Sequence, residues 1–487
     1  MVQGTMSNVG KSLIAAGLCR IFMQDCYRVS PFKSQNMALN SFVTKDGKEM
    51  SRAQVLQAAA AKVEPDVRMN PVLIKPTGDM NSQVIVNGKA IGNYPASEYF
   101  KMKKSLIPEI RSAYDSLAAE NDIIVIEGAG SPAEINLRED DIVNMGLAEL
   151  VDAPVILVGD IDPGGVFAQL YGTMELLRPE ERKRVVGVMI NKFRGDIELL
   201  KPGLGQIEKL TGVPVLGVIP YTKFNLDGED SLSYELNDPG FSYDADRALD
   251  VAVIRYPHIS NYTDVNPLAL HPAVSVRYAE SVRELSGQPD LIILPGTKNT
   301  LGDLRWLKDN GLYQAVLDLH KRGSAILGIC GGYQMLGESI SDPYFIEDGG
   351  DENGLGLLPV KTVFEKEKLL CGDVAKCTEF FGSVNIRGYQ THSGVTDTTG
   401  LMPFCRLADG RDEGVIYGDV FGTYMHGLFD TGELTSVMAD HLLKRKGLKP
   451  MGLKVTDFED EREKQLDLLA WTMRDNIDLD GIYRALR

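Results

Sequence analysis

Along the chain, short runs of apolar residues end in polar or glycine-rich tips and are followed by stretches with helical spacing. The runs beginning Ile123, Pro154, Val185 and Val213 do not alternate with polar residues. Neither do those beginning Asp250, Leu291, Ala325 and Val420. Unbroken apolar runs of this length predict strands covered on both faces, as in parallel sheets. Leu13 to Met23 has one apolar face and predicts a helix. A second helix is expected from about Gly47 to Val63, with Glu49 and Arg52 near its start. The alternation of strand and helix predicts an α/β chain built of two doubly wound domains, with sites at the C-terminal ends of the strands. The 487 residues suit two to four domains. Asn225 to Asp250 is acidic and turn-rich and predicts a linker. The expected division is therefore 1–235, 250–445 and a helical tail over 446–487. From Val455 that tail reads as a charged amphipathic helix lying on a domain surface.

The strand tips carry the candidate chemistry. Gly4-Thr-Met-Ser-Asn-Val-Gly-Lys-Ser12 is a variant of the phosphate loop GxxxxGK[ST], with Thr5 where the first glycine is expected. Backbone N–H groups from Gly4, Thr5, Ser7 and Gly10 are expected to wrap phosphates. Lys11 would reach the outer phosphate oxygens and Ser12 would ligate Mg²⁺. The strand before the loop is only Met1–Gln3, so a natural start a few residues upstream is expected. The loop after Tyr27 holds Lys33, Gln35, Asn36 and Asn40, with Lys33 the candidate phosphate ligand. Glu127 ends the Ile123 strand and is the candidate second metal ligand. Asp160 and Asn191 stand at two further tips, and Asn191 is a candidate nucleotide contact.

In the second half, Ala325–Ile329 runs into Cys330-Gly-Gly and then a helix expected near Tyr333. Such a corner holds a thiol next to a helix N-terminus, where the dipole favours thiolate. His426 follows the Val420 strand. It is the expected base, taking the thiol proton and returning it to a leaving amine. His392 is either a substrate contact or structural. The polar stretch Ser260–Pro267 is expected to face the other domain.

Composition narrows the possible partners. A net charge of −17 and a pI near 4.9 argue against general binding of nucleic acid or anionic membrane. The six cysteines show no metal-binding spacing, which predicts reduced thiols and a cytoplasmic protein. No apolar run is long enough to span a bilayer.

Gly328-Ile-Cys-Gly-Gly-Tyr-Gln-Met-Leu-Gly337 together with Gly422-Thr-Tyr-Met-His-Gly-Leu-Phe429 resembles the cobyrinate-amidating branch of the class I glutamine amidotransferases, whose domain is flavodoxin-like. The resemblance implies a glutamyl thioester on Cys330 and release of ammonia. It also implies oxyanion donors at Gly296 and Gly331, the former from Leu294-Pro-Gly-Thr-Lys298. The wider class has an acid two residues after the histidine. Here that position is Leu428, so the branch is expected to work with a Cys–His pair, or to draw an orienting acid from elsewhere. The N-terminal half resembles the dethiobiotin-synthetase-like phosphate-loop fold. Pro31-Phe-Lys-Ser-Gln-Asn-Met37, Ile126–Leu137, Gly159–Phe167 and Asn191–Asp196 narrow the likeness to the family of cobyric acid synthases. That family implies ATP, Mg²⁺ and L-glutamine as reactants, a corrinoid substrate, and amidation of its b, d, e and g carboxylates. The alternatives are the sibling family that amidates the a and c carboxylates, and a phosphate-loop switch joined to an inert amidotransferase-like module.

Overall fold

A computed structural model describes residues 1–76, 81–226 and 243–486. Most of the predicted linker lies outside the described residues. The next strand, Leu249–Ile254, begins where expected.

The N-terminal half is built on parallel strands. Val2–Gly4 pairs with Val155–Asp160, which pairs with Val185–Phe193, and that with Val215–Pro220. On the other side, Val29–Phe32 pairs with Ile123–Ile126. A parallel bridge from Val2 to Glu127 joins the two sets. The central strands are buried along their whole length. Their unbroken apolar runs follow from helices covering both faces.

The C-terminal half has the order Val274–Ala279, Leu249–Ile254, Leu291–Leu294, Ala325–Ile329, Val420–Thr423, Val415–Tyr417. Only the last strand is antiparallel among these pairs. This is the flavodoxin-like order with an added edge strand. Thus the expected fold class holds: two doubly wound α/β sheets, one phosphate-loop-like and one amidotransferase-like.

Three features depart from the expectations. First, Glu49–Ser51 is a strand that pairs with Ser41–Val43, and the helix runs only from Arg52 to Ala60. Ser51 caps that helix by accepting from Ala53 N–H, so the N-cap sets its start rather than the alanine run. Second, a four-stranded sheet joins Gln35–Met37, Val72–Pro76, Asn81–Val86 and Lys89–Pro95. Lys89–Pro95 is an edge strand and largely exposed, so it carries little apolar signal. Third, the tail helix Phe458–Arg474 does lie on a domain surface, as expected, but that surface belongs to the N-terminal half rather than to the half it follows. Leu466, Leu469 and Met473 join the core cluster of helix Lys11–Gln24. Buried Arg20 meets Glu463 at 2.9 Å, and Arg474 meets Asp25 at 2.7 Å. Among the described residues, no helix is long and apolar enough to cross a membrane.

Leu469→Ala is expected to cost about 2–5 kcal/mol through the cavity it leaves. The loss should appear as a lower urea midpoint for the N-terminal half, read from the fluorescence of Trp471.

Candidate active site

The Ala325–Ile329 strand lies between Leu291–Leu294 and Val420–Thr423. It stops at Cys330, whose backbone sits at φ 53°, ψ −110°, a left-handed geometry that non-glycine residues hold only when their surroundings impose it. The helix Gly331–Leu336 begins at once. A Cβ on Gly332 would overlap the carbonyl of Leu294, and one on Gly328 would stand 2.7 Å from Tyr333 Cα. Close backbone approach, rather than a need for positive φ, thus demands these two glycines. Cys330 N–H donates to Thr423 O at 2.8 Å, and the thiol donates to Thr391 O at 3.7 Å. His426 also acts on the sulfur, favouring its charged form.

His426 is fixed on every side. Its N–H donates to Tyr389 O at 2.8 Å, and its ring stacks on Tyr389 at 5.2 Å. The buried carboxylate of Glu413 accepts from Thr423 Oγ1 and Tyr424 N–H, both at 2.6 Å, and so anchors the strand end before it. The imidazole Nδ1 lies 2.6 Å from Asp264 Oδ2, and Gly427 N–H donates to Asp264 Oδ1 at 3.0 Å. Both His426 and Asp264 are 1 % exposed. Asn261 Nδ2 lies 3.2 Å from His426 Nε2.

Of the two expectations, a bare Cys–His pair or an acid drawn from elsewhere, the geometry gives the second. The orienting acid comes from 162 residues upstream. The stretch read as a polar loop facing the other domain does face it, through Arg52 near Asp264 and Ser41 N–H on Asn261 Oδ1, but it is a buried 3₁₀ segment, Tyr262–Leu270, entered through Asn261 at φ 52°. Leu428, at the position of the usual acid, is a core residue. The available signal was an acid in a short stretch rich in tyrosine, valine and leucine, where an exposed loop would be polar throughout.

Burial works against charge on both partners, and their contacts override it. The carboxylate of Asp264 and the nearby sulfur raise His426 to about 9. The His426 hydrogen bond and charge, Lys298 and the Gly331 N–H lower Cys330 below the usual thiol range. The arrangement therefore favours a thiolate–imidazolium pair.

The two expected oxyanion positions differ in setting. Gly331 N–H acts on the Cys330 sulfur and favours its charged form. Gly296 pairs with Ser260 in a two-residue ladder, and a Cβ there would meet His426 Cε1 at 3.1 Å. A pocket opens beside the sulfur, lined by Lys298, Gln334, Glu347, Lys368 and His392. Gln83 and Asn93 of the N-terminal half complete its wall. Burial pushes Glu347 up to about 8 and Lys298 and Lys368 down to about 8. His392 stacks on Tyr424 at 3.6 Å, and burial lowers it to about 4, so it lines the pocket as a neutral ring.

The second cluster lies at the N-terminal loop. Gly10 caps the helix at φ 95°. Asn191 Nδ2 donates to Val9 O at 2.8 Å, and its amide would overlap any Cβ on Gly10. Thr5 N–H donates to Val158 O, and its hydroxyl to Gln169. Lys11 Nζ donates to Met6 O at 3.0 Å, and Ser7 lies exposed at the loop tip. Lys192 bridges the loop carbonyl of Asn8, at 2.7 Å, and Asp160, at 2.8 Å. Asn191 therefore braces the loop through its amide nitrogen.

Glu127 is the hub of this cluster. Its Oε1 accepts from Ser12 Oγ at 2.8 Å and Lys33 Nζ at 2.7 Å, and its Oε2 from Gln57 Nε2 at 2.5 Å. Burial opposes the charge, but Lys33 and these donors hold the carboxylate below its usual range. A hydroxyl and an ionised carboxylate, both hard oxygen donors beside a phosphate loop, fit a Mg²⁺ ion. The Lys33 ammonium pairs with the same carboxylate at Oε1.

Comparisons with known proteins give two family matches. Residues 1–230 match the CobQ/CobB/MinD/ParA nucleotide binding domain. Residues 250–434 match the CobB/CobQ-like glutamine amidotransferase domain. Over its full length the chain is 51 % identical to a cobyric acid synthase of Ruminiclostridium cellulolyticum, covering 96 % of that protein. It is 51 % identical to one from Yersinia enterocolitica, covering 98 % of it, and 50 % identical to one from Streptococcus sanguinis, also covering 98 %.

A histidine raised in the folded state stabilises the fold fully below its ordinary value near 6.5, and that contribution fades as pH rises through about 9. NMR titration should place His426 near 9, and Asp264→Asn should return it toward the ordinary value. Alkylation of Cys330 by iodoacetamide should start below the usual thiol range, and Asp264→Asn should move that onset to higher pH.

Proposed function

The chain belongs to the cobyric acid synthase family, and on that premise we propose that it amidates the b, d, e and g carboxylates of adenosylcobyrinic acid a,c-diamide, using ATP and glutamine. One observation carries the reading. A Cys330–His426–Asp264 arrangement and a phosphate loop with a buried carboxylate occur in the same chain, at the strand ends of two adjoining sheets.

Glutamine chemistry belongs to the C-terminal half. In the pocket beside the sulfur, Lys298 and Lys368 meet the α-carboxylate of glutamine and Glu347 its α-ammonium. The Cys330 thiolate attacks the side-chain carbonyl carbon. Gly296 and Gly331 stabilise the oxyanion, and the C–N bond breaks as the His426 imidazolium protonates the departing nitrogen. Ammonia leaves and a thioester remains. His426, now neutral, takes a proton from water, whose oxygen attacks the thioester and frees glutamate. Asp264 keeps the Nδ1–H tautomer throughout, so that Nε2 faces the reacting atoms.

Activation belongs to the N-terminal half. A carboxylate is a poor electrophile, so a corrinoid carboxylate takes the γ-phosphoryl group of ATP, giving an acyl phosphate and ADP. Lys11 and the N–H groups of the Gly4–Gly10 loop hold the phosphates, and Lys33 neutralises charge beside Glu127. A Mg²⁺ ion held by Ser12 and Glu127 supplies charge stabilisation when bound. Ammonia then attacks the acyl carbon, and inorganic phosphate and a proton leave. We divide the chain accordingly into 1–235 for activation and 250–445 for glutamine hydrolysis. The tail, 446–487, serves the activating half, on which its helices pack. The protein acts in the cytoplasm, where its six cysteines stay reduced.

Cys330→Ala is expected to lower glutamine-supported amidation by on the order of 10³ or more, with amidation from concentrated ammonium salt retained. Lys11→Ala should abolish amidation from both nitrogen sources and spare glutamate formation. Mass spectrometry of the corrinoid, with coupled assays of glutamate and ADP, measures both. Loss of ammonia-supported synthesis in Cys330→Ala would overturn the separation of the two sites.

A further inference from the structure

Near the Cys330 corner lies a second buried carboxylate that takes no part in the proposed chemistry. Asp303 is fully buried in the first turn of the helix Thr300–Asp309. It is not needed as the cap, because Asn299 already accepts from Gly302 N–H at 2.9 Å. Its two oxygens engage two different strands. Oδ2 accepts from Thr297 Oγ1, and Oδ1 lies 2.8 Å from His258 Nδ1. Thr297 belongs to the two-residue strand Gly296–Thr297. His258 immediately precedes the antiparallel partner of that strand, Ile259–Ser260. Lys298 N–H donates to His258 O at 3.0 Å and closes the ring. Thr297 Oγ1 also accepts from Asn299 N–H at 3.1 Å, at the next turn of the loop.

This small ladder contains one of the two expected oxyanion positions and packs on the other. Gly296 stands in it, opposite Ser260. Thr297 lies against Gly331, where a Cβ would stand 2.6 Å from Thr297 Cγ2. Pro295 O accepts from Gly332 N–H at 3.1 Å, which ties the start of the loop to the same corner. Two residue pairs are too few to hold a ladder unaided, since even a longer isolated hairpin is marginal in water. Yet donors to an oxyanion act only when they are fixed in place before the charge develops. A carboxylate withdrawn from water is costly unless donors surround it. The donors that Asp303 gathers are those on either side of the ladder.

Building on the function proposed above, we propose that Asp303 is a positioning residue for glutamine hydrolysis. Through Thr297 and His258 it clamps the Gly296 strand where the N–H of Gly296 meets the oxyanion. His258 is the outer jaw, with a side chain 28 % exposed, whereas Asp303 and Thr297 are enclosed. Asp303 does not line the pocket beside the sulfur. Its removal therefore weakens the hold on the tetrahedral intermediate and leaves the Cys330–His426–Asp264 arrangement standing.

The test uses the full chain with MgATP, a corrinoid and glutamine. Asp303→Asn should lower kcat for glutamate formation at least about tenfold, with KM for glutamine held within about twofold. Amidation from ammonium salt should stay at the parent level. Glutamate γ-semialdehyde is the second probe. The Cys330 thiolate adds to its aldehyde carbon, the C=O π pair moves onto oxygen, and no group leaves, so its affinity reports the oxyanion donors. In Asp303→Asn that affinity should fall by the same factor as kcat, while alkylation of Cys330 by iodoacetamide keeps its parent pH onset. Thr297→Val keeps the shape and removes the hydroxyl, and should reproduce both losses. Thr297→Ser restores the hydroxyl and should recover most of them. A parent-like kcat in Asp303→Asn, or a lowered kcat with unchanged aldehyde affinity, overturns the role. Should Asp303→Asn fail to fold, equal kcat in Thr297→Val and Thr297→Ser overturns it instead. A parent chain that forms no glutamate from glutamine would sink the function proposed above rather than the clamp.

Discussion

The carboxylate of Asp264 is the constraint around which the molecule is arranged. It is withdrawn from water and accepts from His426 Nδ1 and Gly427 N–H. Arg52, from the N-terminal half, approaches to 3.9 Å. A buried carboxylate is tolerable only when cations and donors surround it. That requirement fixes the tautomer of His426 and, through it, the state of the Cys330 sulfur. It also draws the start of the Arg52–Ala60 helix onto the amidotransferase half. Arg52 further reaches Asp430 at 3.7 Å and the hydroxyl of Tyr389 at 3.5 Å, and that hydroxyl donates to Ser41 O at 2.8 Å.

The same helix ends its work at the other site. Gln54 and Gln57 both donate to Glu127, so a single nine-residue helix touches the acid behind the histidine and the acid beside the phosphate loop. Two buried carboxylates, each with its own set of cations, are thereby held in a fixed relation. Low local dielectric strengthens both clusters and makes any unpartnered member expensive. The two halves are consequently docked through charge and hydrogen bonds rather than through one continuous apolar core. The apolar clusters support this: the large C-terminal one contains residues of that half alone.

Irregular backbone supplies the contacts that regular strands would not. The long strand Lys361–Cys377 loses register with its partner between Phe364 and Leu369, and the displaced residues include Lys368, which crosses to Glu49. Cys330 and Asn261 both hold left-handed backbone, and both present side chains to His426. Strain at these points is imposed by the packed sheet around them and serves to aim the groups.

The sequence by itself determined the two sheets, because parallel strands covered on both faces leave unbroken apolar runs. It also marked Cys330, Lys11 and Ser12 at strand-to-helix corners, because glycine spacing at such a corner is a local requirement written in consecutive residues, and it set His426 just beyond the end of a strand. Tertiary structure alone decided the identity of the acid behind His426, since Asp264 reaches it from a segment 162 residues away whose own pattern carries no period. It decided that Glu49 lies in a strand facing Lys75 and Lys368, because the capping serine, not helix propensity, sets where the helix begins. It decided the seat of the tail helix, whose charged face masks the few apolar residues that bind it to Lys11–Gln24. The physical reason is common to all three. Contacts between groups far apart in the chain, polar or apolar, leave no periodicity behind, whereas burial of a strand or the close approach of two backbones does.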